Sequence, residues 1–188
     1  MTERITMPCV PLRGLSVFPR TILHFDIGRE KSIKALETAM ATDKLLFLTS
    51  QKDDNILLPT PEDYYHVGTV VKVKQMLKIQ GDAVRVLVEG QYRAKLEEIA
   101  SEDSFISCEI SRAEIIEADP QEPEVQAMMR SVLDAFDEYI ALQPNIKDEV
   151  YDLISSIDEP DIFADTIAMQ MDVKIAAKQE VLEALDVK

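Results

Sequence analysis

Apolar and polar residues alternate on both sides of Gln80-Gly81-Asp82, through Val67-Gly-Thr-Val-Val-Lys-Val-Lys-Gln-Met-Leu-Lys78 and Val84-Arg-Val-Leu-Val-Glu89. A period of two sends successive side chains to opposite faces, so this stretch predicts a β-hairpin with one apolar and one charged face. The same alternation predicts strands near Pro8 to Arg13, Thr21 to Ile27, Leu45 to Thr49, His66 to Leu77, Ala83 to Glu89, Tyr92 to Ile99 and Phe105 to Ile116. One helix interrupts them: Ile33, Leu36 and Met40 fall on one side at helical spacing, just after Gly28. Residues Gln51 to Asp63, with two prolines and the apolar Ile56-Leu57-Leu58, read as a loop over the surface of the β core.

Beyond residue 117 the period changes to about 3.6. Val125, Met128, Met129, Val132, Leu133, Phe136, Tyr139 and Ile140 make an apolar stripe on a helix from Glu124 to Gln143, which Pro144 ends. Val150, Leu153, Ile154 and Ile157 mark a second helix stopped by Pro160. Asp161 is placed to cap a third with Ile162, Phe163, Ile167 and Met171, and Ile175, Leu182 and Leu185 belong to a fourth. The chain stops at Lys188 with no glycine or proline terminator, so either that end frays or a longer protein continues there. All five glycines lie in the first 90 residues, where turns between strands need them. Glu117-Ala-Asp-Pro-Gln-Glu-Pro123 separates the two patterns. The expected organisation is α+β, with a β-rich subdomain at 1–118 and a helical one at 119–188.

Charge sharpens that division. Of the net −15, residues 1–117 contribute −3 and residues 118–188 contribute −12. Clustered cations are what phosphate backbones require, so nucleic acid is an improbable main partner. No apolar run approaches the roughly 20 residues that span a bilayer, and the first 25 residues lack a signal-peptide core, so a cytoplasmic location is expected. Cys9 and Cys108 have no metal-ligand spacing and read as buried thiols.

The glycine spacing excludes both a Gly-x-x-x-x-Gly-Lys phosphate loop and a Gly-x-Gly-x-x-Gly dinucleotide turn. No serine sits in a Gly-x-Ser-x-Gly elbow, and neither His24 nor His66 opens a His-Glu-x-x-His zinc motif. Acidic pairs such as Asp53-Asp54 and Glu97-Glu98 are explained by solvation. No catalytic, cofactor or metal residue is therefore assigned. Lys72, Lys74, Lys78, Arg85, Arg93 and Lys95 form the only basic stripe. Cross-strand pairing with Glu89 or Glu97 accounts for it better than an RNA surface, since Tyr92 is the only ring nearby.

Some features suit a protein partner. Met76, Leu77 and Ile79 lie beside the hairpin turn, where flexible apolar side chains make promiscuous contacts; packing under a neighbouring loop is the alternative. Core packing is expected of Met128 and Met129. Leu12 to Pro19 reads as a buried strand and turn, and Arg29-Glu30-Lys31 as an exposed helix start or a subunit contact.

Three segments together resemble the N-terminal domain of the ATP-dependent Lon protease family. Pro8-Cys-Val-Pro-Leu-Arg-Gly-Leu-Ser-Val-Phe-Pro19 is similar to its opening segment, Ile27-Gly-Arg-Glu-Lys-Ser32 to its Val-Gly-Arg-Glu-x-Ser, and Val86-Leu-Val-Glu-Gly-Gln-Tyr-Arg93 to its Val-Leu-Val-Glu-Gly-x-x-Arg. Ala164-Asp-Thr-Ile-Ala168 and Lys178-Gln-Glu-Val-Leu-Glu183 resemble its helical portion. Pro19-Arg20 stands where that family often has Pro-Gly. The resemblance implies a PUA-like pseudo-barrel with one helix, followed by an α-helical bundle, that recognises unfolded or damaged proteins and degradation tags for a homohexameric protease. It implies ATP, Mg²⁺ and a Ser-Lys dyad in the parent protease and none of them in this chain. The client contacts expected on that basis are Leu15, Phe18, Met76, Leu77 and Ile79. A free-standing module of the same fold, binding RNA or another assembly's subunit, is the alternative.

Overall fold

The computed structural model describes residues 3–143 and 148–188. In chain order its elements are β1 (Arg4–Leu12), β2 (Ile22–Ile27), α1 (Glu30–Ala41), β3 (Leu45–Ser50), β4 (Val67–Lys78), β5 (Val84–Ser101), β6 (Ser107–Arg112), α2 (Pro123–Ala141), α3 (Asp148–Ser155), α4 (Pro160–Gln170) and α5 (Ile175–Glu183). They fall into two compact units, Met1–Glu114 with Lys174–Glu183, and Ile115–Val173 with Ala184–Lys188.

In the first unit the strands pair in the order β2-β5-β4-β3-β1-β6, and β6 pairs again with β5. Five strands thus close a ring, with β2 left outside as an edge. The length of β5 makes closure work. Residues 84–89 pair with β2 and residues 94–101 with β6, while β4 runs beside both halves. Where the alternation predicts two strands, Ala83 to Glu89 and Tyr92 to Ile99, the structure has one, because Gly90 continues the extended backbone instead of turning it. A Cβ on Gly90 would stand 2.1 Å from the Phe18 carbonyl oxygen, so glycine serves here for close approach. The backbone of the Phe18–Thr21 turn locks onto it, with Arg20 N donating to Gly90 O at 2.9 Å and Gly90 N donating to Thr21 O at 2.9 Å. Arg20 has φ 61°, in the left-handed region. That is the conformation glycine adopts most readily.

Two apolar clusters fill this unit. One gathers Val10, Leu12, Leu36, Leu46, Val71, Val73, Val86 and Val88, the other Cys9, Phe47, Tyr64, Val70, Leu96 and Ile110. Helix α1 covers the first with Ala35, Leu36 and Ala39. Helix α5, expected with the other helices, belongs to the β unit. Gln179 is buried and its Nε2 donates to the Val67 carbonyl at 2.8 Å, while Arg93 Nε donates to the Leu182 carbonyl at 3.0 Å. These bonds satisfy polar groups that would otherwise be stranded.

In the second unit Phe136, Ile154, Phe163 and Ile167 form the core, with Met129, Leu133 and Tyr139 packed against them. Pro123 and Pro160 each sit at the start of a helix, where the missing N–H is harmless. Pro160 therefore opens α4 at the point where it was expected to stop its predecessor, and Glu159, not Asp161, occupies the capping position. Met128 is 37% exposed, against the core packing expected of it. Leu185 lies beyond α5, its carbonyl accepting from Ile116 N at 2.7 Å. Pro144, expected to end α2, lies outside the described residues.

Candidate functional site

The β4–β5 hairpin is tied at its tip by Ile79 N donating to Ala83 O at 3.1 Å, with Gly81 at φ 78°. Registration across three strands aligns Met76, Val86 and Phe25 in one row and Leu77, Arg85 and Asp26 in the next. Alternate rows face opposite ways. Met76 and Phe25 pack against the core, whereas Leu77 is 50% exposed. Ile79 is half-buried. Of the three tip residues, Leu77 alone stands well out, and Ile22 on the edge strand, 63% exposed, adds a second apolar side chain. Arg85 grips Asp26 through Nε and Nη2 at 2.7 and 2.9 Å and holds that carboxyl below its ordinary range.

Phe18 departs from its expected role. It is 0% exposed, so its ring belongs to the core and offers no surface to a client. The turn that follows it is pinned to Gly90, and Thr69 Oγ1 donates to the neighbouring Val17 carbonyl at 2.6 Å. Leu15 is half-buried against the same core.

Leu15 also lines a cleft of about 190 Å³ between the end of β1, the end of β2 and the first turn of α1. Arg13 and Arg29 line it as well, and neither has a carboxylate partner among the described residues; Arg29 Nη2 donates to Gln51 Oε1 at 3.0 Å. Asp26 is the one lining carboxylate, and Arg85 already engages it. Nearby Asp54 accepts from Gly14 N at 2.9 Å. No side chain caps the first-turn amides of α1. In a chain of net charge −15 this cleft thus brings two guanidinium groups and an uncapped helix N-terminus to one place, against a single lining carboxylate that is already paired. Sequence reasoning did not assemble it, because Arg13 and Arg29, 16 positions apart at the ends of two strands that do not pair, come to one cleft only in the folded β unit. The available signal was the pair of strand ends carrying Arg beside Gly, Arg13-Gly14 and Gly28-Arg29.

Next to the cleft, Glu30 is exposed and pairs with Lys34 at 2.6 Å, and Lys31 Nζ donates to the Glu102 carbonyl at 2.5 Å. Half of the basic stripe, Lys74, Arg85 and Arg93, is engaged. Lys74 pairs with Glu89 at 2.5 Å, Arg93 is buried, and Arg112 lies over the Tyr92 ring at 4.7 Å. Cys9 and Cys108 are free buried thiols; the neighbouring Cys108 thiol, then burial, push the Cys9 thiol well above its ordinary value, while Cys108 Sγ donates to the Met7 carbonyl at 3.6 Å. Among the described residues no cluster of three or more His, Cys, Asp or Glu is placed to hold a metal ion, and no helix is long and apolar enough to cross a membrane.

Comparison with known proteins gives a consistent answer. Residues 6–188 match the family model described as the ATP-dependent protease La (LON) substrate-binding domain. The chain is 45% identical over 186 residues to a Lon protease of Clostridioides difficile, covering 97% of the chain and 24% of that protein. It is 42% identical over 183 residues to Lon protease 1 of Bacillus subtilis, covering 97% and 23%. It thus spans about a quarter of the length of these curated relatives. Among solved structures it is similar to the N-terminal domain of a Mycobacterium avium complex Lon protease, with TM-score 0.73 and 20% identity over 97% of this chain and 92% of that one. A Lon N-terminal domain protein from Xanthomonas campestris gives TM-score 0.67 and 12% identity over the same shares. These last two likenesses concern the fold.

Proposed function

The chain belongs to the Lon protease substrate-binding domain family, and on that premise we propose that it recognises unfolded or damaged proteins and degradation tags for a parent ATP-dependent protease serving protein quality control. The observation that carries this reading is the family match over residues 6–188. In the parent, ATP and Mg²⁺ would supply the energy and a Ser-Lys dyad the cleavage, in a cytoplasmic homohexamer. This chain contributes docking and oligomer support, with the exposed start of α1 at Glu30 and Lys31, beside half-buried Arg29, as its subunit contact. On this reading the closed ring with α1 is the PUA-like part and α2 to α4 open the helical part.

Exposed Leu77 and Ile22, with half-buried Ile79 at the hairpin tip, suit weak contacts with extended apolar segments, whereas Leu15 and Met76, half-buried against the core, offer a client only part of their surface. Such contacts need no cofactor. Titrating the isotopically labelled chain with a permanently unfolded client, and with the folded form of the same protein, tests the proposal by NMR. The expected result is saturable perturbation by the unfolded form alone, centred on β2 and the β4–β5 tip. Silence of both regions up to high micromolar client would remove it.

A further inference from the structure

Ser32 lines the Arg13–Arg29 cleft, is 4% exposed, and has no hydrogen-bond partner for its hydroxyl among the described residues. A buried hydroxyl without a partner is uncommon, because losing water without replacement costs stability. The Ser32 oxygen is not sealed in the interior either, since the one fully buried side-chain atom lacking a partner among the described residues is Gln179 Oε1. It therefore opens onto the cleft. It stands in the third position of α1, a helix of 12 residues whose N-terminal amides no side chain caps. Two guanidinium groups free of carboxylates complete the set. Donors of this kind at a helix N-terminus converge on an anion. The remaining wall is apolar, with Leu12, Leu15 and Phe25 prominent, apart from Asp26, whose carboxylate Arg85 already neutralises. The volume is below that of pockets holding drug-sized ligands, so it suits one residue and not a large molecule.

We propose that this cleft binds a carboxylate of a client polypeptide, with an adjoining apolar side chain laid against Leu12, Leu15 and Phe25. The choice of carboxylate over phosphate rests on the client-binding reading above. A chain terminus and a Glu or Asp side chain offer the same group, and the probe peptides separate them.

The experiment measures binding of three short fluorescent peptides to the chain: one ending in leucine as the free acid, its C-terminal amide, and the amide with glutamate beside that leucine. Amide resonances of Gly28, Glu30, Lys31 and Ser32 are followed in parallel. At least one carboxylate peptide is expected to bind about tenfold more tightly than the neutral amide, the scale of a charge-assisted hydrogen bond, and to shift those four resonances. Preference for the free acid assigns the site to chain ends; preference for the glutamate peptide assigns it to acidic side chains. Arg13→Gln, at an exposed position, and Ser32→Ala each reduce the preference several-fold, with thermal melts showing that both variants fold. Equal affinity for all three peptides, no binding by any, or shifts confined to other residues overturns the proposal. An unfolded client titrated alongside separates the two claims. If it still binds while the preference is absent, only the cleft assignment fails; if it does not bind, the reading beneath it fails too.

Discussion

Gly68 shows how little slack the β unit has at single positions. A Cβ there would lie 2.2 Å from the Leu48 carbonyl oxygen and 2.7 Å from the Phe47 ring, neither of which can move without disturbing the β3–β4 pairing. Gly68→Ala is expected to cost about 2–3 kcal/mol in urea unfolding, whereas Gly28→Ala, with nothing within 4 Å of the new atom, stays within about 0.5 kcal/mol. Titration gives a second prediction at this scale. Burial raises Tyr64 to about 12, its hydroxyl donating to the Pro59 carbonyl at 3.1 Å. The folded state thus favours the neutral phenol, so that contribution is complete below the ordinary tyrosine value near 10 and is lost as pH rises towards 12. The carboxyls of Asp26, Glu30 and Glu89 are lowered by their cationic partners. Their contribution is present above the ordinary carboxylate range and lost as pH falls through the lowered values. Unfolding free energy plotted against pH is expected to drop at both ends, and Tyr64→Phe to flatten the alkaline limb.

At the scale of elements, the β4–β5 hairpin was legible because alternation and a Gly-Asp turn agree, and because one face is buried so that register is strongly specified. Two other features were not. The continuity of β5 through Gly90 was hidden, since a glycine that permits close approach to Phe18 looks in sequence like one that makes a turn. Phe18 follows the buried reading of Leu12 to Pro19 and not the client contact the resemblance suggested, because hydrophobicity alone cannot say which side of a turn a ring occupies. Helix positions in 119–188 followed from the 3.6 period, but proline placement was misread at Pro160, which suits both the end of one helix and the start of the next. The cleft depended wholly on tertiary folding, since β1 and β2 do not pair. The hairpin tip yields its own prediction: replacing Met76 and Leu77 together by serine weakens unfolded-client binding several-fold. The stability cost is about 1 kcal/mol, coming from half-buried Met76 more than from exposed Leu77. Client titration and urea unfolding of the same variant check both parts, and unchanged binding would remove the tip from the docking surface.

For the whole molecule, charge distribution separates protein from nucleic-acid recognition. A net of −15, with Lys74 and Arg85 already paired to Glu89 and Asp26, leaves little to neutralise phosphates. Affinity for RNA is expected to be negligible at physiological salt; a strong complex whose affinity falls steeply between 50 and 200 mM salt would favour the alternative module. The central claim is that this polypeptide docks unfolded chains and performs no turnover. The most direct test follows the fluorescence anisotropy of a labelled unfolded client as the purified chain is added with ATP and Mg²⁺, while free phosphate and client length are monitored in the same sample. Anisotropy is predicted to rise to saturation with the client intact and no phosphate released. A flat trace up to high micromolar protein, or cleavage or nucleotide hydrolysis by the purified chain, would contradict the account.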